Sequence, residues 1–285
     1  YSKASNIAIA VRINGTSGME MSGDCRLNLV CKGDSIIRGG KRLTYNIMYT
    51  GSPEHYCSGV VCFSINIKQE DTASLKIYGG NGADGNVNNP VGPGDIVAIA
   101  GRHGGSAVWA SYVYINVSRL EVYGGNGGNG AQGKQGDAMT ETAAQGNTGH
   151  QGGTGGSGRY AFNVARAIKI ASWAQVYARG GDGGNGGKGG KGGTGGPGKN
   201  NAWGTGGKGG KGGTGGRGGT KGQGYDAKSG MATITGSFTQ LVNGSNGTGG
   251  PGGDGGNGGQ GGKSYSGVGK PGPTGDPGDP GKEGR

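Results

Sequence analysis

Residues 180–219 read GGDGGNGGKGGKGGTGGPG, then break at 199–205, then resume as GGKGGKGGTGGRGG. Two of every three positions are glycine. Such a stretch cannot make a helix with a buried face or an ordinary strand, because it has almost no side chains to bury. Any order must come from the backbone, whose N–H and C=O groups all need partners. A three-residue period matches the extended left-handed helix of three residues per turn and about 3.1 Å rise. With two bare faces, such helices can lie side by side and bond backbone to backbone. The phrase KGGKGGTGG starts at Lys188 and again at Lys208. The sequence therefore predicts two opposed arms of one hairpin with its tip at 199–205, the 19-residue first arm, 180–198, reaching about 59 Å.

Glycine makes up 78 of 285 residues and hydrophobic residues only 30%, a composition that by itself fits a disordered chain. The strict period argues against disorder, and so does an internal repeat. Units begin near residues 60, 107, 160 and 231, and each opens with two short β-type runs before entering glycine triplets. Aliphatics recur at matching places: Ile65 and Ile67, Ile115 and Val117, Ile168 and Ile170, Ile234. Tyr78, Tyr123 and Tyr177 mark the junction between strand and glycine in three units. Trp109, Tyr112, Phe162, Trp173 and Phe238 are expected in a small core with the aliphatics.

The expected fold class is mostly β and polyglycine/PPII. Short repeated strands would carry polyglycine II hairpins packed as a bundle, with little or no α-helix. Residues 1–57 are expected to form a β-rich attachment or capping module, with short strands at 6–13, 26–30, 35–38 and 43–49. Residues 58–285 would hold the repeats, and 269–284 (GKPGPTGDPGDPGKEG) reads as a collagen-like end.

The net charge of +11 favours anionic partners. The basic rows are Lys188, Lys191, Lys208, Lys211 and Arg217. The charges are dispersed, with few aromatics among them, which argues against specific nucleic-acid binding. Catalytic chemistry is not expected. The histidines (His55, His103, His150) are scattered, no two carboxylates make an acid–base pair, and GGKGGT lacks the hydroxyl that a phosphate loop places after its lysine. No metal site and no cofactor are expected. Cys25, Cys31, Cys57 and Cys62 fit one or two disulfides in any of three pairings, or a set of buried thiols.

The alternation of short strands with GGNGG-type runs resembles the glycine-rich receptor-binding tips, or adhesins, of phage tail fibres. The triplet rows also resemble snow-flea antifreeze protein. Both likenesses are of architecture and cover roughly 58–285. The adhesin likeness implies a non-enzymatic protein at a virion surface or extracellular appendage, whose turns between glycine helices meet a receptor. By position those turns are 86–93, 137–145 and 199–205. The residues implied are Asn88 and Asn89, Met139 and Glu141, and Asn200, Asn201 and Trp203. The implied partners are an anionic cell-surface glycan, lipopolysaccharide or outer-membrane receptor, and a neighbouring fibre or virion protein through the N-terminal module. A purely structural filament or coat subunit is the alternative. An ice-binding role fits less well, because the third residues of the triplets include many Lys, Asp and Asn.

Overall fold

A computed structural model of the chain describes residues 13–14, 19–20, 26–31, 34–39, 58–69, 74–85, 100–199, 204–227, 233–260, 263–264 and 267–285. Among these residues there are fifteen strands and no helix. In chain order they are β1 (Ile13–Asn14), β2 (Met19–Glu20), β3 (Arg26–Cys31), β4 (Ser35–Arg38), β5 (Val60–Gln69), β6 (Ser74–Tyr78), β7 (Val108–Asn116) and β8 (Arg119–Tyr123). There follow β9 (Phe162–Ile170), β10 (Gln175–Arg179), β11 (Tyr225–Ala227), β12 (Thr233–Thr235), β13 (Gln240–Val242), β14 (Lys263–Ser264) and β15 (Gly267–Val268).

Two parallel sheets organise the chain. One runs in the order β1-β4-β6-β8-β10-β13. The other runs β11-β9-β7-β5-β2, with β12 also on β9 and β3 also on β5. Each unit places its first strand in the second sheet and its second strand in the first, so successive units stack as rungs. The sequence sets this register because equivalent aliphatics fall opposite one another. Leu27 pairs with Ile65, Ile65 with Val113 and Val113 with Ile168. In the other sheet Leu75 pairs with Leu120, which pairs with Val176. Inward-facing residues of both sheets join in one buried cluster. Opposite Ala110–Tyr112 of β7 the register on β9 shifts from Val164 to Ala167, a bulge.

The expected class is therefore corrected. The described chain is all-β and built on two parallel sheets; it is not a polyglycine II bundle on which short strands ride. The reason is physical. Matching aliphatics in consecutive units can bury one another only if the units stack in register, and side-chain burial then sets the order of the whole chain. Two details also differ. Trp173 is 56% exposed and outside the core, whereas Phe162 is fully buried. Tyr177 lies opposite Glu121, and Arg179 takes the place beside Tyr123. The candidate strands at 6–13 and 43–49 fall outside the described residues, apart from Ile13. Strands β3 and β4 pair with β5 and β6 in the same two sheets.

The glycine runs prolong these two layers without being helix or strand. Outbound runs leave the first sheet: Gly124, Gly127, Gly130, Gly133 and Gly136 donate to the carbonyls of Arg179, Asp182, Asn185, Lys188 and Lys191 at 2.8–2.9 Å. Return runs lead into the second sheet: Gly146, Gly149, Gly152, Gly155 and Gly158 donate to Lys208, Lys211, Thr214, Arg217 and Thr220 at 2.8–2.9 Å. The next residue of each triplet bonds across the layers, so that Gly207, Gly210, Gly213 and Gly216 donate to Gly196, Gly193, Gly190 and Gly187. In these runs each triplet thus has one lateral donor, one cross-layer donor and one third residue whose side chain faces out. Close approach requires the glycine: a Cβ on Gly189 would overlap the carbonyl oxygen of Gly213 and crowd the nitrogen of Gly253. The collagen-like stretch is the last return run of the same array. Lys270, Pro273, Asp276, Asp279 and Lys282 accept from Gly206, Gly209, Gly212, Gly215 and Gly218.

Candidate binding surface

The third residues of the triplets form two outward faces, one per layer. On the outbound face they make a ladder of Asn and Asp side chains. The N–H of Asn126 donates to Asn81 Oδ1 at 3.0 Å, that of Asp182 to Asn126 Oδ1 at 2.8 Å, and that of Ser245 to Asp182 Oδ1 at 2.8 Å. A parallel ladder joins Asp84, Asn129, Asn185 and Thr248 at 2.7–3.0 Å. On the return face His103 Nδ1 accepts from the N–H of Ser157 in the same manner. In the triplets nearest the sheets the ladders answer where the third N–H goes: a side-chain oxygen on the neighbouring run stands in for a carbonyl. The GGNGG phrases recur at one offset from the strands in three units, so this was detectable in sequence, although the row reads equally well as a solvated edge.

The basic rows do not form one patch. Lys188 and Lys191 lie on outbound runs, and Lys208, Lys211 and Arg217 on return runs, so the two KGGKGGTGG phrases sit in different layers. Three of the five are ion-paired to the fourth hairpin: Lys188 to Asp254 at 3.0 Å, Lys208 to Asp276 at 2.8 Å and Lys211 to Asp279 at 3.3 Å. Arg217 Nε donates to the Glu283 carbonyl at 3.4 Å. Among the described residues Lys191 has no ion-pair partner. The hydrogen bond from Lys208 draws the Asp276 carboxyl below its ordinary pKa, helped by the charge of that lysine.

Where strand gives way to glycine, the outer side of the first sheet carries a second ladder. The Tyr78 ring stacks on that of Tyr123 at 5.0 Å between centroids, and the Arg38 guanidinium covers Tyr78 at 4.3 Å. Next to it Glu121 is 5% exposed. Lys76 reaches Glu121 Oε2 at 2.9 Å, Arg119 reaches Oε1 at 2.9 Å, and the Tyr123 hydroxyl donates to Oε2 at 3.0 Å. Burial pushes the Glu121 carboxyl up, but these hydrogen bonds outweigh it and the pKa lies below the ordinary value. Beside the ladder is a cleft of about 500 Å³ lined by Arg38, Tyr78, Asn81, Asp84 and Asn126 among others. Both faces of the Tyr78 ring are taken, so the cleft offers hydrogen-bonding groups and no aromatic platform.

Among the described residues, the turn at 137–145 lies at the end of the glycine arms remote from the sheets. Met139 N–H donates to Thr194, Ala143 to Pro197 and Gly196 to Ala144. The turn at 137–145 is thereby held against the arm ends that flank 199–205. Gly198 in turn donates to Gln260, which leads to the β14–β15 hairpin. Glu141 is exposed and Met139 half-buried. Asn88, Asn89, Asn200, Asn201 and Trp203 lie outside the described residues, as do Cys25 and Cys57. Cys62 is buried in β5. Cys31 lies opposite Gln69, seven residues along the same strand from Cys62 and about 23 Å away. Among the described residues no three His, Cys, Asp or Glu side chains gather as a metal site.

No family model matches the chain, and no curated protein matches it. Among solved structures it is similar to the nine-helix polyproline type II bundle antifreeze protein of the springtail Granisotoma rainieri. The identity is 23%, covering 72% of this chain and 93% of that one, with a TM-score of 0.17. A score that low carries no argument about fold or function, and no phage adhesin is matched.

Proposed function

We propose that this is a non-enzymatic structural and adhesive protein of a virion fibre or similar extracellular appendage. The observation that supports this most is the distal edge. Backbone hydrogen bonds from Met139, Ala143 and Gly196 fix the turn at 137–145 against residues 194–197, the end of the neighbouring arm. A receptor-facing surface needs polar groups that are held in place before binding, so that little ordering cost falls at contact. The proposed partner is an anionic glycan, lipopolysaccharide or outer-membrane receptor. The turns, with Glu141 and the residues around 199–205, make the contact, and the N-terminal module attaches to a neighbouring fibre protein. The pairing of Lys188, Lys208 and Lys211 with aspartates shifts the expected contact from the lysine rows to the turns. Exchange of 137–145 and 199–205 for unrelated polar turns, followed by binding to candidate host cells, tests this. Binding and host range unchanged across all exchanges would sink the adhesive reading.

A filament or coat subunit is the second reading. It is favoured by the last rung, where Ile234, Leu241 and Val242 stay 40%, 47% and 37% exposed. Electron microscopy of the purified protein separates the two, since a monodisperse particle opposes the filament.

A further inference from the structure

In every return run but the last, the lateral donor position is a site where a Cβ has nowhere to go. A Cβ on Gly149 would strike the carbonyl of Gly190, and one on Gly209 the carbonyl of Gly256, each on the next outbound run. Among the described residues the last return run has no such neighbour. Its cross-layer donors are Gly272, Gly275, Gly278, Gly281 and Gly284. Each lateral position is the residue just before one of these: Pro271, Thr274, Pro277, Pro280 and Glu283. All five are exposed, and none is glycine. Three are proline, the one residue that has no N–H to donate.

The spacing that reads as collagen has a different origin here. Glycine every third residue serves the cross-layer bonds, and proline falls where the bond to a further run would start. The outbound run of the same hairpin makes the contrast. Its lateral positions Gly249, Gly252, Gly255 and Gly258 remain glycine because a Cβ there would meet Gly281, Gly278, Gly275 and Gly272 of the chain's own return run. Those glycines are explained from within and signal no outside partner.

We propose that residues 269–285 are an edge cap. Pro271, Pro277 and Pro280 remove the donors through which another glycine run, including one from a second copy of this chain, would continue the return layer. Natural sheets blunt their open edges with proline for the same reason. The cap also bears against a filament grown by adding copies to this edge.

The test is the triple variant P271G/P277G/P280G, which restores three N–H groups and removes the Cβ atoms that would stand in the way of a further run. Sedimentation velocity over a concentration series should show the wild type as monomer and the variant as species of at least twice its mass. The single variant P277G, which restores one donor and removes one Cβ, should show a weaker association and serves if the triple variant does not fold. A variant that melts earlier yet stays as monomeric as the wild type would overturn the proposal, since the prolines would then only stiffen the run. Wild-type oligomers cross-linked through residues 271–283 would overturn it as well.

Discussion

The two sheets and the glycine runs stack the same units in the same order, yet different parts of the chain hold them together. In the sheets, Ile65, Val113 and Ile168 meet through side chains, and burial contributes most of the stability, at roughly 1.5–3 kcal/mol per large aliphatic. In the runs, Gly127, Gly152 and Gly210 are tied to Asp182, Thr214 and Gly193 through backbone alone. Each net hydrogen bond there is worth about 1 kcal/mol, set against the high entropy cost of ordering glycine. The sheets therefore tolerate a change of volume, while the runs tolerate almost no added atom. Stability in the first region is spread over shapes that can adjust; in the second it rests on a spacing that cannot.

Substitutions can break that comparison in graded steps. The largest effect should come from Gly189→Val, whose side chain has no space beside Gly213 and Gly253. We expect a loss above about 4 kcal/mol in denaturant unfolding, or failure to fold. A loss below that of a core truncation would mean that the runs yield. Next comes Ile168→Ala in the sheet core, fully buried in the wild type, with an expected loss of about 2–5 kcal/mol and an intact glycine array. Protection of run amides from hydrogen exchange should persist in this variant and vanish in Gly189→Val.

Glu121→Gln should cost less, about 1–2 kcal/mol at neutral pH, by weakening the contacts with Lys76, Arg119 and Tyr123. The folded-state pKa of Glu121 lies below the unfolded value. Its contribution is therefore complete above the unfolded pKa and fades as pH falls through the folded one. The variant should lose that part of the acid-side slope of stability; an unchanged slope would show that Glu121 is not the titrating group. The smallest effect should follow Asp276→Asn. Asp276 and Lys208 are both well exposed and screened by water. A small difference in melting temperature should appear at low salt and disappear near 1 M, where the Debye length is about 3 Å.

Some of this was legible in the sequence. Alternating aliphatics mark β5 to β10, because a buried strand face must repeat every second residue. The three-residue period identifies which stretches are bare. What the period does not carry is the identity of the partner. A polar third residue such as Asn126 looks solvated until the run beside it is known, and only then does its oxygen find the N–H of Asp182. Lys188 and Lys208 likewise look like free members of basic rows on two opposed arms until the fourth hairpin sets Asp254 and Asp276 beside them. Pairing of the strand runs between units into sheets follows from the repeat; that these sheets are parallel and organise the chain in place of a glycine bundle does not, because it depends on contacts between units that a single unit does not show.

The ladder of asparagines also bears on how the protein ages. An asparagine followed by glycine readily deamidates in a mobile chain, because the glycine nitrogen attacks the side-chain carbonyl carbon to close a ring. Asn126–Gly127, Asn129–Gly130 and Asn185–Gly186 are all of this kind. In the folded array both reacting groups are engaged with the next run. Gly127 N–H donates to the Asp182 carbonyl while Asn126 Oδ1 accepts from the Asp182 N–H, and Asn129 and Asn185 repeat the arrangement. Ring closure would have to break both bonds at once. These three sites should thus keep their amides through prolonged incubation, and lose them only once the array has opened.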